Sequence, residues 1–310
     1  MESSRIFPSA IVVRELSVYP SNWRAKSSLA DYLKYHGKLA ISEIDTRALT
    51  RHIRQKGAMR CAISTRDLDP ANLLKKVLDT PMMEGADLVP KVTTPRMYDL
   101  NGGTQPWNVV VYDFGVKGNI LRSLQQCGCK VKVVPASTPA DQVVAMKPHG
   151  VVLSNGPGDP AALSSIIYET QLLIGRFPIL GICLGAQIIL EYSEENDTPC
   201  LGLLPGRTRA LPRQPDLKIP HMGWNSVRFL RPHPVFNGLP EAAEYYFVHS
   251  YYPDPAEQAM VLGVTEHGRE FPSALGWRNL VATQFHPEKS GRYGLTILEN
   301  FLAWDGSHAE

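Results

Sequence analysis

From Asn108 onward the chain switches repeatedly between two hydrophobic periods. The apolar runs VVVYDF, KVKVVPA, GVVLSN and FPILGIC read as buried strands. Each is followed by a segment whose apolar residues recur three and four apart. GNILRSLQQCG turns Ile120, Leu121 and Leu124 inward, ADQVVAMKPHG is a short helix, and SSIIYETQLLIGR is another. LGAQIILEYS, directly after the fourth run, is expected to be helical throughout. Strands alternating with helices at this spacing predict a parallel sheet with right-handed crossovers. Beyond about residue 200 the runs shorten and turns multiply, which predicts antiparallel additions. A last strand, LVATQF, and a last helix, GLTILENFLAW, close the pattern.

The earlier residues are patterned differently. Ser28-Leu29-Ala30-Asp31 has capping-box spacing, so a helix is expected to start there, bury Leu29, Tyr32 and Leu33, and stop at Gly37. Asp45 caps a second helix, TRALTRHIRQK, which stops at Gly57. Its apolar stripe is Ala48, Leu49, His52 and Ile53, while Arg47, Arg51, Arg54 and Lys56 form a solvated face or a partner-docking surface. Residues 84–107 carry prolines, Gly102-Gly103 and little periodicity, and read as a linker. The expected organisation is a first domain over 1–83, a linker over 84–107, a second domain over 108–304 and a tail over 305–310.

Composition narrows the class. A chain of 310 residues, 44% hydrophobic and 20% charged, is neither disordered nor collagen-like. A net charge of +2 argues against a nucleic-acid or membrane partner. No apolar run reaches the roughly 18 residues of a spanning helix, and the first residues lack the basic and apolar regions of a secretory signal. Five cysteines, an odd number without paired metal spacing, fit a reduced, cytoplasmic protein.

The sharpest chemical signal is Gly181-Ile182-Cys183-Leu184-Gly185, between an apolar strand and a helix. A nucleophile flanked by glycines at this junction is a nucleophile-elbow pattern with sulfur in place of oxygen. It exposes the thiol at a strand's C-terminal end and at a helix N-terminus, which favours thiolate. Cys61, Cys127, Cys129 and Cys200 lack that context and read as small hydrophobes. A thiolate needs an imidazole, and His286 follows the strand LVATQF. Glu288, two residues on, can fix its tautomer and stabilise the imidazolium. The N–H of Leu184 is a natural oxyanion donor. The loop Asn155-Gly156-Pro157-Gly158-Asp159-Pro160 ends another strand, and its glycines permit close approach to substrate.

These motifs together resemble the class I (triad) glutamine amidotransferases. Residues from about 11 to 190 resemble the small subunit of carbamoyl phosphate synthetase, through VVRELSVYPSNWR, LADYLKYHG, ISEIDTRALTRHIRQKGAMR, VVVYDFGVKGNILRSL, LSNGPGDP and LGICLGAQ. Residues from about 193 to 304 resemble instead the glutaminase subunit of imidazole glycerol phosphate synthase, through SEENDTPCLGLLPGRTRALP, LKIPHMGWNSV, YYFVHSYY and QFHPEKSGRYGLTILENFLAW. The seam falls near residues 188–195. Against the first family the His-His-Gly-Gly-Asn-His segment is missing, and the N-terminal domain is shortened by about 100 residues, including a serine that contacts glutamine.

The resemblance implies a flavodoxin-like α/β glutaminase domain behind a partial α/β domain, with no metal or other cofactor. It implies Cys183 as nucleophile, His286 as general acid/base and Glu288 as its orienter. Gly156, Gly158, Leu184, Gln187, His249, Ser250 and Tyr251 match glutamine-contacting positions. The implied activity is hydrolysis of L-glutamine, with ammonia passed to a synthase partner. That partner is the large subunit of carbamoyl phosphate synthetase or, alternatively, the cyclase subunit of imidazole glycerol phosphate synthase. A mosaic scaffold without activity is a further alternative.

Overall fold

Two short strands, β1 (Ala10–Val12) and β2 (Leu39–Ile41), pair in parallel around α1 (Leu29–Tyr35) in the computed structural model of the chain. The structure describes residues 6–307 except 24, 57–58, 82–87, 101–103, 105, 157–163, 195–197, 201, 213, 215–216 and 242. The chain divides into two units, which meet in sequence between residues 83 and 84. In the first, the Ser28 hydroxyl accepts the Asp31 N–H at 3.1 Å and caps α1. The helix buries Leu33, half-buries Tyr32 and leaves Leu29 exposed, so one of three expected core residues is covered. A two-stranded sheet is too narrow to cover a full helical stripe. The second helix, α2 (Thr46–Lys56), is capped by the Asp45 carboxylate on the Ala48 N–H at 2.9 Å. Its stripe residues Leu49 and Ile53 are exposed. The unit ends with α3 (Pro70–Asp79), capped by Asp69.

Part of the stretch expected to be a linker is built into the second unit. There α4 (Val89–Val92) buries Val89, and β3 (Tyr98–Leu100) forms an edge of the main sheet. Elements of three and four residues are too short to display a hydrophobic period. Thereafter β4 (Asn108–Asp113), α5 (Gly118–Gln126), β5 (Lys130–Pro135), α6 (Ala140–Ala145), β6 (Gly150–Leu153), α7 (Ser164–Gln171) and β7 (Ile179–Ile182) alternate as the pattern predicts.

The helix after β7 does not run on. α8 (Leu184–Gln187) makes one turn, and β8 (Leu190–Ser193) replaces the rest of the expected helix. Ile188, Ile189 and Leu190 are all buried, which leaves no solvent face for a helix. The carbonyls that would extend it are taken elsewhere. The Thr208 hydroxyl donates to Gln187 O at 2.8 Å, and the N–H groups of Leu203 and Leu204 donate to Ile189 O at 2.9 and 3.0 Å.

The remaining strands are β9 (Thr198–Pro199), β10 (Leu204–Ala210), β11 (His221–Ser226), β12 (Arg228–Phe229), β13 (Glu244–His249), β14 (Tyr251–Pro255), β15 (Val261–Glu266), β16 (Glu270–Trp277) and β17 (Leu280–Thr283), before α9 (Gly291–Ala303). The main sheet runs β12-β15-β16-β17-β7-β6-β4-β5-β3. Its centre, β17-β7-β6-β4-β5, is parallel, and the strands outside it pair antiparallel. Renumbered in chain order, the parallel centre is 2-1-3-4-5, the flavodoxin-like winding. β14-β10-β8-β9 and β11-β13 form two satellite sheets.

Burial on both faces explains the unbroken apolar runs. Val109, Val111, Val133 and Ile182 enter one core, and Val110, Tyr112, Val134 and Ile179 enter the other. This winding gathers the C-terminal ends of β4, β6, β7 and β17 along one edge, where open α/β sheets hold ligands.

Candidate active site

Cys183 sits where β7 turns into α8, with φ 53° and ψ −100°. A non-glycine residue held there costs on the order of 1–3 kcal/mol and persists only where its surroundings fix it. Its N–H donates to Thr283 O of β17 at 2.8 Å, and its carbonyl accepts from Ala186 and Gln187 at 2.9 and 3.2 Å. The flanking glycines close the turn. A Cβ on Gly181 would lie 2.8 Å from Gly185 O, and one on Gly185 would lie 2.7 Å from Leu153 O of β6. Leu184 is the first residue of α8, so its N–H has no partner within the helix.

His286 follows β17. Its Nδ1 lies 2.8 Å from Glu288 Oε1, with the two side chains 1% and 0% exposed. Nε2 is buried without a hydrogen bond of ordinary geometry among the described residues. Burial alone lowers the pKa of this imidazole, but the Cys183 sulfur and the Glu288 carboxylate outweigh it and push it up to about 9. At neutral pH the ring is therefore an imidazolium between two acids. A one-turn helix has little dipole, so the positive charge beside the sulfur comes from His286 rather than from α8.

A second set of contacts reaches the sulfur from the other expected residues. Gln187 Nε2 donates to Tyr251 O at 2.9 Å and to Gln284 Oε1 at 3.0 Å, and Gln284 Nε2 donates to Cys183 Sγ at 3.8 Å. Tyr251 O also meets His249 Nδ1 at 2.8 Å. A carbonyl only accepts, so His249 Nδ1 bears the proton and its Nε2 accepts from His221 Nδ1 at 2.9 Å. His221 Nε2 in turn accepts from Asn225 Nδ2 at 3.2 Å. Both histidines are neutral. Burial, then His267, lowers His221 to about 4, and burial, then His221, lowers His249 to about 3.

The structure thus places Cys183, Leu184, Gln187, His249, Ser250, Tyr251, His286 and Glu288 in one connected region of the second unit. Ser250 O accepts the Leu211 N–H at 2.9 Å, which pins the β13–β14 turn. Gly156 lies where a Cβ would come within 2.3 Å of Phe114 O, so the loops after β4 and β6 touch only because it is glycine. Gly158 lies outside the described residues.

Three neighbours have no strong signal in the sequence. Gln284 is fully buried. Lys117, at the N-cap of α5, has its pKa lowered by burial and by Lys289, with Glu288 and Cys183 opposing. Lys289 reaches the same cluster and stacks over Tyr246 at 5.2 Å. Among the described residues no group of histidine, cysteine and carboxylate side chains could hold a metal.

Fold and site together define an α/β protein of the thiol-elbow class, with a cysteine on a strand-to-helix turn beside a buried histidine–glutamate pair. Residues 110–304 match the family described as glutamine amidotransferase class-I, and the chain belongs to that family. Residues 1–63 match the CPSase domain of the carbamoyl-phosphate synthase small chain. The chain is 48% identical over 202 residues to the carbamoyl phosphate synthase small chain of Syntrophotalea carbinolica, covering 61% of this chain and 54% of that protein. It is 48% identical over 203 residues to that of Thermosynechococcus vestitus, covering 61% and 53%. The chain therefore spans about half the length of the curated relatives it matches. Among solved structures, a Thermoplasma acidophilum protein assigned to GMP synthase superposes with a TM-score of 0.50 at 24% identity, covering 64% of this chain and 92% of that one. That likeness is one of fold. No helix among the described residues is long and apolar enough to cross a membrane.

Proposed function

We propose that the chain is a glutaminase of the carbamoyl phosphate synthase small-chain type, hydrolysing L-glutamine to glutamate and ammonia. The observation that carries this reading is the strained Cys183 elbow beside the His286–Glu288 pair, on the adjacent strand ends of β7 and β17. The Cys183 thiolate attacks the side-chain amide carbon of glutamine. Negative charge gathers on the amide oxygen, where the Leu184 N–H and the backbone at Gly156 can donate. His286 gives the Nε2 proton to the departing nitrogen, and ammonia leaves a γ-glutamyl thioester. His286 then takes a proton from water, the new hydroxide attacks the thioester carbon, and the C–S bond breaks to release glutamate and the thiolate. Glu288 holds the ring in the Nδ1–H form throughout. Gln187 keeps its Oε1 for the substrate, since both its N–H bonds are used internally, and the backbone of His249, Ser250 and Tyr251 holds the α-amino and α-carboxylate groups.

The partner is an ammonia-accepting synthase subunit. The match over residues 1–63 and the small-chain relatives favour the large subunit of carbamoyl phosphate synthase. The cyclase subunit of imidazole glycerol phosphate synthase is the second reading, favoured by the segments LKIPHMGWNSV and YYFVHSYY. Glutaminase activity of the chain, measured alone and with each of the two synthase subunits, tests both. Stimulation by one partner selects it. No glutamine hydrolysis in any of the three mixtures makes the chain a scaffold and ends the proposal.

A further inference from the structure

Gln284 is the first residue beyond β17 and is completely buried. Its backbone is clamped on both sides. Its own N–H donates to Ser273 O at 2.9 Å, and the preceding Thr283 carbonyl accepts the Cys183 N–H. The carboxamide therefore has a fixed origin one residue from the elbow. Which end of it faces the sulfur follows from bonding logic. Gln187 Nε2 lies 2.9 Å from a backbone carbonyl, which only accepts, so that atom is the NH2 group. The atom of Gln284 at 3.0 Å from the same NH2 must be oxygen. The atom of Gln284 that faces Cys183 Sγ at 3.8 Å is then its NH2. Every bond in the series from Asn225 through His221, His249, Tyr251 and Gln187 to Gln284 agrees with this orientation.

We propose that Gln284 is a catalytic residue: its carboxamide donates a hydrogen bond to the Cys183 thiolate, as a donor to the nucleophile additional to the His286 imidazolium. The proposal rests on the reading of Cys183 as nucleophile and adds a group to it. A buried donor of this kind favours sulfur as an anion. It therefore acts when the thiolate forms and again when the thioester breaks. In that second step the water oxygen bonds to carbon, the C–S electron pair returns to sulfur, and the water proton goes to His286. The amide N–H meets the charge as it reappears. Thr283 also shows why glutamine is needed here. Its side chain is turned back to Phe285 O at 3.0 Å, so it supplies no donor to the sulfur.

The test combines two variants with one measurement on the unaltered protein. Gln284→Met keeps the length and removes the donor. Gln284→Glu keeps the acceptor for Gln187 and removes the donor. In either folded variant, iodoacetamide alkylation of Cys183 at pH 7 should slow about tenfold, its pH profile should move to higher pH, and kcat for glutamine should fall about tenfold with KM within about twofold. An unchanged alkylation profile in a folded variant, or a change confined to KM, overturns the proposal. In the 15N-labelled wild-type chain, the Gln284 side-chain amide should shift with the same midpoint as Cys183 alkylation, and Cys183→Ser should abolish the shift. A Gln284 amide that ignores the titration overturns the proposal even if neither variant folds. The alkylation and 15N readouts need no glutamine turnover, so loss of the glutaminase reading and loss of the Gln284 assignment are distinguishable.

Discussion

His286 Nδ1 and Glu288 Oε1 lie 2.8 Å apart although their residues are separated by one proline. In an extended strand residues two apart share a face but stand roughly 6–7 Å apart along it, too far for this contact. Here a 3-10 turn over Pro287–Lys289 folds the carboxylate back under the ring. The His286 carbonyl accepts the Lys289 N–H at 3.0 Å and the Ser290 hydroxyl at 2.7 Å, and the Ser290 Oγ accepts the Tyr246 N–H at 3.0 Å. The His286 N–H donates to Tyr246 O at 2.9 Å. The pair is thus fixed by β13 as well as by its own loop.

Glu288→Gln should therefore impair the imidazolium with little change of shape. Glutamine hydrolysis is expected to fall about 10²–10⁴-fold in kcat/KM. The pair also makes a pH-dependent contribution to stability. The pKa of His286 is raised in the folded chain to about 9 from an ordinary value near 6.5. That contribution is fully present below about 6.5 and is lost as pH rises through about 9. The Tm difference between wild type and Glu288→Gln should accordingly shrink between pH 7 and 10. A gap that is constant over that range would contradict the assignment.

Cys183→Ser is expected to reduce glutamine hydrolysis by at least about a thousandfold. Cys200→Ser should leave it intact, because Cys200 is a buried thiol outside the elbow. An electrophilic glutamine analogue followed by peptide mass spectrometry should find its label on Cys183. Labelling of another cysteine instead would remove the nucleophile assignment.

Gly181→Ala tests the elbow itself. The added Cβ would meet the backbone of Gly185 at 2.8 and 2.9 Å, atoms that cannot move aside without shifting Cys183. A loss of about 1–3 kcal/mol in urea unfolding is expected, together with loss of activity. Full activity in the alanine variant would mean that the turn tolerates a wider geometry.

Acid should destabilise the second unit through its neutral histidine pair. His221 and His249 are held down at about 4 and 3 in the folded chain, while the unfolded chain takes up protons near 6.5. Stability should therefore fall as pH drops from about 6.5 toward 4, with about one extra proton bound on unfolding per histidine. His221→Gln should flatten this dependence by about one proton, read from urea unfolding at pH 4.5 to 7. An unchanged slope would show that the pair is not held neutral.

Hydrogen exchange should be faster over residues 10–65 than over residues 108–190. Among the described residues of the first unit, Leu33 is the only apolar side chain that is fully buried, while Val18, Tyr19, Trp23 and Tyr35 are 72–86% exposed. Ile11, Val12 and Val13 are half-buried beside a two-stranded sheet. Segments with few buried contacts open at low free energy. Equal, slow protection in both regions would refute this.

Much of the molecule is written locally. The strands β4 to β7 follow from the length of their apolar runs, Ser28 and Asp45 cap their helices through side chains three residues away, and Gly181 and Gly185 mark the elbow because a Cβ has no room there. Such signals act within a few residues, so they survive in the linear sequence. The end of α8 at Gln187, the strand β3 inside an apparent linker, and the burial of Leu33 without Leu29 were decided by neighbours distant in the chain. So was the site. Cys183 and Gln284 are 101 residues apart and meet only because β17 pairs with β7 in parallel, which no periodicity in either strand encodes. The sequence by itself determined which side chains can do chemistry and where each turn falls. The sheet order decided which of them share one edge, because hydrogen-bonded neighbours are selected by packing over the whole core rather than by residues adjacent in the chain.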